Sequence, residues 1–268
     1  MRLTGEGIWG PPRNRREAIA VLRRAVELGI NFIDTADSYG PDVSEELIAE
    51  ALFPYPPGLV IATKGGWRRP GPDQWTHDAT PSHLREALEG SLRRLRLECI
   101  DLYQLHIPDP LVPFEDSVGT LVQLRSEGKI RLIGLSNVTQ EHIERAQRIT
   151  GIASVQNRYS FADREWDYVV NYCERNRIAF IPWFPLAAGR IAGERLNQVA
   201  RAHRADPHKI AIAWLLKRSR FMLPIPGTST VKHLEENVAA SSLQLSAGEF
   251  EELSQMAQFA GPIGNHAE

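Results

Sequence analysis

The sequence predicts a single-domain α/β protein of the (β/α)8 TIM-barrel class, with a first strand truncated at the N-terminus. Three observations carry that reading. Short apolar runs alternate with helical patterns along nearly all of the 268 residues. The runs are almost continuously apolar, as strands covered on both faces by crossover helices are. Several of them end on a polar side chain that hands over to a Gly- or Pro-marked loop, which is where such barrels present their functional groups. Length agrees with one domain, since these barrels run to about 250 residues.

At the start, Gly5, Gly7 and Gly10 in GEGIWG imitate a dinucleotide fingerprint, with Asp34 at the spacing of its ribose acid. The context refuses it, because no full strand precedes these glycines and Pro11-Pro12 follow where a helix should open. Met1 to Leu3 reads as the tail of the first strand. Ala18, Val21, Leu22, Ala25, Val26 and Leu28 recur at helical spacing up to Gly29, giving a helix over Asn14 to Leu28. A strand over Ile30 to Asp34 follows, then a helix over Ser44 to Leu52. Pro54, Pro56, Pro57 and Gly58 break that helix before a strand over Leu59 to Thr63. Gly65 to Thr80 has no periodicity and is expected to be a long functional loop.

Thr80-Pro81-Ser82 has the composition of a helix start, and Leu84, Leu88, Leu92 and Leu95 share one face of the helix it opens. Strands are expected at Asp101 to Leu105, Ile130 to Leu135, Ile152 to Gln156, Ile178 to Pro182 and Met222 to Ile225. Helices over Glu115 to Ser126, Thr139 to Ile149 and Arg164 to Asn176 separate the first four of these, and Arg195 to His203 and Pro207 to Lys217 precede the last. Val231 to Ala239 and Ala247 to Ala257 close the chain as helices. Counting from Asp34 gives seven strands, so the eighth is assigned to the N-terminus.

Composition limits the partner. Lys plus Arg is 31 against 33 for Asp plus Glu, a net of -2, which supplies no field to draw nucleic acid or an anionic membrane surface. No apolar stretch approaches the roughly 20 residues of a spanning helix, and MRLTGEG lacks the layout of a signal peptide. Cys99 and Cys173 stand apart without metal-type partners, so neither a disulfide framework nor a metal site is indicated. A cytoplasmic monomer acting on a small molecule is the expectation.

The chemistry collects at strand ends. NFIDTADSYG delivers Asp34 and then Tyr39, the next strand delivers Lys64 before Gly65-Gly66, and DLYQL delivers His106. Each alone has an ordinary explanation: a loop carboxylate, a loop aromatic, a solvated lysine, a structural histidine. Together on one barrel face they form a proton-transfer set. Reduction of a carbonyl needs a proton for the oxygen that becomes negative. A phenol near pKa 10 is a poor donor unless a cation such as Lys64 favours its phenolate. Asp34 pairs with Lys64 in this reading, and the His106 ring N–H orients the carbonyl. An aldolase-like alternative uses Lys64 as a Schiff-base nucleophile.

Asp34, Tyr39, Lys64 and His106, in this order and spacing, resemble the catalytic four of the aldo-keto reductases, and the resemblance extends to IPGTSTVKHLEEN near the C-terminus. It implies a reductase of aldehydes and ketones. It also implies that Ser136, Asn137 and Gln156 hold a nicotinamide carboxamide and that Trp183, with Phe184, Pro185 and Leu186 beside it, stacks on the ring. Gly227, Thr228, Ser229 and His233 then grip the adenosine 2'-phosphate, with Glu236 and Asn237 near adenine. Gly227 allows close backbone approach, and a helix start near Thr230 suits a phosphate. The family often carries arginine where this chain has His233, so NADP(H) is favoured while NAD(H) stays open. Trp67 and Trp75, with Phe184, are candidates for the substrate wall, and the short tail after Phe259 implies an open pocket. A catalytically weak nucleotide-sensing module is the alternative outside enzymes, since some members of that family serve as channel subunits.

Overall fold

The computed structural model describes residues 3–186 and 193–257; Met1 and the segment after Phe259 lie outside them. The described residues form two compact units, one of residues 3–154 with 227–234 and one of residues 155–186, 193–226 and 235–257.

The first unit opens with helix α1 (Arg15–Glu27), capped by the Asn14 side chain, which accepts from the Glu17 N–H. Ala18, Val21, Leu22 and Ala25 form its buried face. Gly29, at φ +84°, turns the chain into β1 (Phe32–Asp34), and α2 (Val43–Leu52) leads to β2 (Val60–Gly65). A hairpin of β3 (Trp67–Gly71) and β4 (Gln74–His77) precedes α3 (Pro81–Leu95). Thr80 caps α3 by accepting from the His83 N–H, and Leu84, Leu88, Leu92 and Leu95 are buried along it. Each such leucine contributes about 1.5–3 kcal/mol by leaving water. Then come β5 (Ile100–Leu105), α4 (Phe114–Ser126), β6 (Ile130–Ser136) and α5 (Gln140–Gln147). Strands β1, β2, β5 and β6 pair side by side in that order, all parallel, with Asp34 opposite Ala62, Lys64 opposite Gln104 and Gln104 opposite Gly134. That register brings the polar strand ends together.

The second unit holds β7 (Ser154–Arg158), less its first residue, with α6 (Asp167–Arg175), β8 (Ala179–Trp183), α7 (Glu194–Ala202) and α8 (Pro207–Arg218). Helix α9 (Val231–Ala239) begins in the first unit, and α10 (Ala247–Ala257) belongs to the second. Trp214 is the centre of this unit's core, stacked between the rings of Tyr159 and Phe250, with Phe161 edge-on.

Two expected elements differ. Gly65 to Thr80 is a hairpin, not a long loop. The buried positions of its two strands are Gly71 and an arginine, Arg69, lying 3.8 Å from the Trp75 ring centroid, and a charged residue on the inner face hid the alternation. Asp73 takes the left-handed conformation (φ +54°) in the two-residue turn. Met222 to Ile225 is not a strand either. It makes one parallel bridge, Phe180 to Met222, because Pro224 and Pro226 lack the N–H groups that would extend a ladder. The glycines of GEGIWG form a short 3-10 turn, Glu6–Ile8, with Gly7 and Gly10 at positive φ. Trp9 and Gly40 are bridged, and Gly40 N–H donates to Ile8 O at 3.1 Å, so this segment lies along the loop that carries Tyr39.

Candidate active site

Asp34 is the last residue of β1, and Lys64 lies two positions beyond Asp34's partner on β2, so parallel pairing sets the two side chains face to face. The Lys64 ammonium is completely buried. It donates to Asp34 Oδ2 at 2.7 Å and to Thr35 O at 2.8 Å, and Nζ stands 5.2 Å from the Tyr39 ring centroid. Gln104 Nε2 donates to the other carboxylate oxygen, Asp34 Oδ1, at 3.1 Å. Burial works against the ammonium, but Asp34 and Tyr39 outweigh it and hold Lys64 above its usual 10.5. Lys64 is therefore a cation throughout the neutral range.

Tyr39 sits in the turn after β1, half-buried, with its ring edge-on to His106 at 5.7 Å. Burial raises its phenol, Lys64 lowers it, and Asp34 raises it again, leaving the net direction upward from 10. Lys64 thus offsets part of the cost of forming a buried phenolate and does not bring the phenol below its ordinary value. His106 follows β5, its N–H donating to Gly65 O at 2.9 Å. Burial and the Lys64 charge push its ring well below 6.5, so the imidazole is neutral. Ser38 Oγ lies 3.5 Å from Nδ1, at the outer limit of a hydrogen bond, which leaves Nε2 as the nitrogen for another partner. A Cβ at Gly65 would fall 2.2 Å from Tyr103 Oη, so only glycine fits beneath Lys64.

Trp67 faces His106 edge-on at 6.4 Å, with His77 stacked on it at 4.5 Å and Trp75 edge-on at 5.7 Å. Arg69 fixes this hairpin. Its guanidinium donates to the carbonyls of Gly7, Ile8, Ser38 and Gln74, joining the N-terminal segment, the Tyr39 loop and the hairpin through one side chain.

The residues expected to hold a cofactor divide between the two units. In the first, Ser136 ends β6 buried, and Asn137 is left-handed (φ +57°) with Nδ2 donating to His106 O at 3.0 Å and Ser136 Oγ at 3.1 Å. Gly227 and Ser229 are exposed and Thr228 is half-buried. At the start of α9, Val231 N–H donates to Glu17 Oε1 at 3.0 Å and His233 N–H to Thr230 Oγ1 at 3.3 Å, while the His233 side chain is exposed. In the second unit, Gln156 is buried in β7, and Trp183 ends β8 with Phe184 (φ +59°) edge-on at 6.3 Å. Pro185 is buried, and Leu186, Glu236 and Asn237 are half-buried.

Sequence reasoning missed Gln104, Thr35, Arg69 and Glu17. Gln104 did leave a signal: it is an uncharged polar residue in an apolar strand, two positions before His106 and so of the same parity.

The model of the aldo/keto reductase family matches residues 1–258. An uncharacterized oxidoreductase of Schizosaccharomyces pombe is 49% identical over 257 residues, covering 95% of this chain and 84% of its own. Pyridoxine 4-dehydrogenase of Escherichia coli is 42% identical over 253 residues, covering 92% of this chain and 88% of its own. Among solved structures, an aldo-keto reductase from Klebsiella pneumoniae in complex with NADPH superposes with a TM-score of 0.81 at 27% identity, covering 98% of this chain and 90% of that one.

Proposed function

The chain belongs to the aldo/keto reductase family, with that family's barrel fold, as an NAD(P)H-dependent oxidoreductase, and from that premise we propose that it reduces small aldehydes and ketones with Tyr39 as proton donor. The observation that carries the reading is the buried Lys64 ammonium, tied to Asp34 at 2.7 Å and set against the Tyr39 ring. A phenol held above 10 stays protonated at neutral pH and is available as an acid. The adjacent ammonium stabilises the phenolate left behind as the carbonyl oxygen takes its proton. Neutral His106 directs its free ring nitrogen at that oxygen and orients the substrate. A Schiff-base role for Lys64 finds no support, because an ammonium bonded to a carboxylate and a carbonyl has no lone pair to attack with.

We assign NADP(H) as the cofactor, which supplies the hydride when bound. The donor set supports this. Ser136 and Asn137, joined by a 3.1 Å hydrogen bond, offer a hydroxyl and an amide, groups that pair with a carboxamide. The start of α9 already takes an anion, the Glu17 carboxylate, at the Val231 N–H, as a helix N-terminus favours. Trp67 and Trp75 are proposed for the substrate wall. The Escherichia coli relative is named a pyridoxine 4-dehydrogenase, so pyridoxine and its 4-aldehyde belong in the first substrate panel.

Tyr39→Phe tests the assignment. It should lower kcat by about 10²–10⁴-fold, the usual worth of a positioned acid, while NADPH affinity, read from nicotinamide fluorescence, stays within about twofold. Turnover surviving in the phenylalanine variant would remove Tyr39 from the reaction.

A further inference from the structure

Gln104 has no exposure to solvent, and a buried amide is tolerated only where its donors and acceptor are paired. Nε2 donates to Asp34 Oδ1 at 3.1 Å, and Oε1 accepts from Ser154 Oγ at 3.4 Å. Parallel pairing places Lys64, Gln104 and Gly134 in one row across β2, β5 and β6. Gly134 makes room for the arrangement, since a Cβ there would lie 2.8 Å from Gln104 Cγ and 2.3 Å from Ser154 Oγ. The Asp34 carboxylate is thus held from two strands, Oδ2 by Lys64 and Oδ1 by Gln104.

We propose that Gln104 is a positioning residue for carbonyl reduction: it fixes the rotation of the Asp34 carboxylate and through it the place of the Lys64 ammonium against Tyr39, with Ser154 and the slot at Gly134 holding the amide in turn. This rests on the assignment of Tyr39 as the acid. An amide fits the position because it donates to the carboxylate without adding charge. A carboxylate there would set like charges side by side and force a shared proton. A hydrocarbon would take the amide donor away from Asp34 Oδ1.

Gln104→Leu should lower kcat about 10- to 100-fold, the scale on which supporting hydrogen bonds act, with substrate KM and NADPH affinity within about twofold. In the alcohol-oxidation direction its pH midpoint should move up, because an ammonium displaced from Tyr39 stabilises the phenolate less. Gly134→Ala should reproduce the kcat loss and the pH shift with Gln104 present, because the added methyl displaces the amide. Gln104→Glu, which keeps size and shape, serves if the leucine variant does not fold. It should be most active at low pH, where one proton is shared with Asp34, and lose activity as pH rises. Thermal destabilisation with kcat and pH midpoint unchanged in these variants would reduce Gln104 to a core filler and overturn the proposal. Tyr39→Phe measured alongside separates the two readings: a dead phenylalanine variant with unperturbed Gln104 variants sinks this inference alone, whereas a live one sinks the acid assignment and this inference with it.

Discussion

At the scale of single residues, the buried pair of Lys64 and Asp34 carries both the proposed chemistry and the vulnerability of the site. Their side chains are 0% and 5% exposed, so each charge is tolerated because the other is there. Lys64→Met leaves a buried carboxylate without its cation and should cost about 3–5 kcal/mol in urea unfolding. The double variant Asp34→Asn, Lys64→Met should regain most of that loss while staying inactive. A double variant as unstable as the single one would show that the pair is not what the stability depends on. Asp34, Lys64 and His106 were legible in the sequence because each ends an apolar run, and Tyr39 because it stands in the Gly-marked turn after the first of them. Gln104 was not weighed, because nothing in the local pattern says that its amide meets a carboxylate seventy positions away.

At the scale of elements, the β3–β4 hairpin and the start of α9 are where side chains decide the architecture. Arg69 satisfies four backbone carbonyls from three segments and lies against Trp75. Arg69→Ala should cost at least about 3 kcal/mol, since buried carbonyls lose charged donors, and should speed chymotrypsin cleavage at Trp67 and Trp75. Unchanged stability and cleavage would show that water replaces the guanidinium freely. On α9, His233→Arg should tighten NADPH more than NADH, measured by fluorescence titration, because a guanidinium pairs with a phosphate bidentately and an imidazole does not. Equal tightening of both would remove the 2'-phosphate from this helix. Most helices and strands lie within a few residues of where periodicity and Gly or Pro punctuation place them. The exceptions have local causes that cut against pattern reading: an inward arginine in the hairpin, and paired prolines that stop Met222 to Ile225 from forming a ladder.

For the molecule as a whole, buried histidines set the acid limit of stability. Burial and Lys64 hold His106 well below 6.5, and burial with Arg68 lowers His83, whose two ring nitrogens have no hydrogen-bond partner among the described residues. Below about pH 6.5 the unfolded chain binds protons that these folded rings refuse. Their contribution is therefore complete above that pH and is lost as pH falls toward the folded values. The slope is at most about 1.4 kcal/mol per pH unit for each histidine. Urea midpoints should fall between pH 7 and pH 5, and His83→Leu should fall less over the same range. Equal slopes would mean that His83 charges freely in the folded state. The sequence by itself determined the barrel class, the order of elements and the places of Asp34, Tyr39, Lys64 and His106 at or just after strand ends, because apolar periodicity and Gly or Pro punctuation act over a few residues. Only the tertiary structure decided that Lys64 is wholly buried, that Tyr39 is held above its ordinary value, that Gln104 grips Asp34 and that Arg69 joins three segments. Those facts depend on the register of strands far apart in the chain, and register comes from packing, which no single stretch of sequence contains.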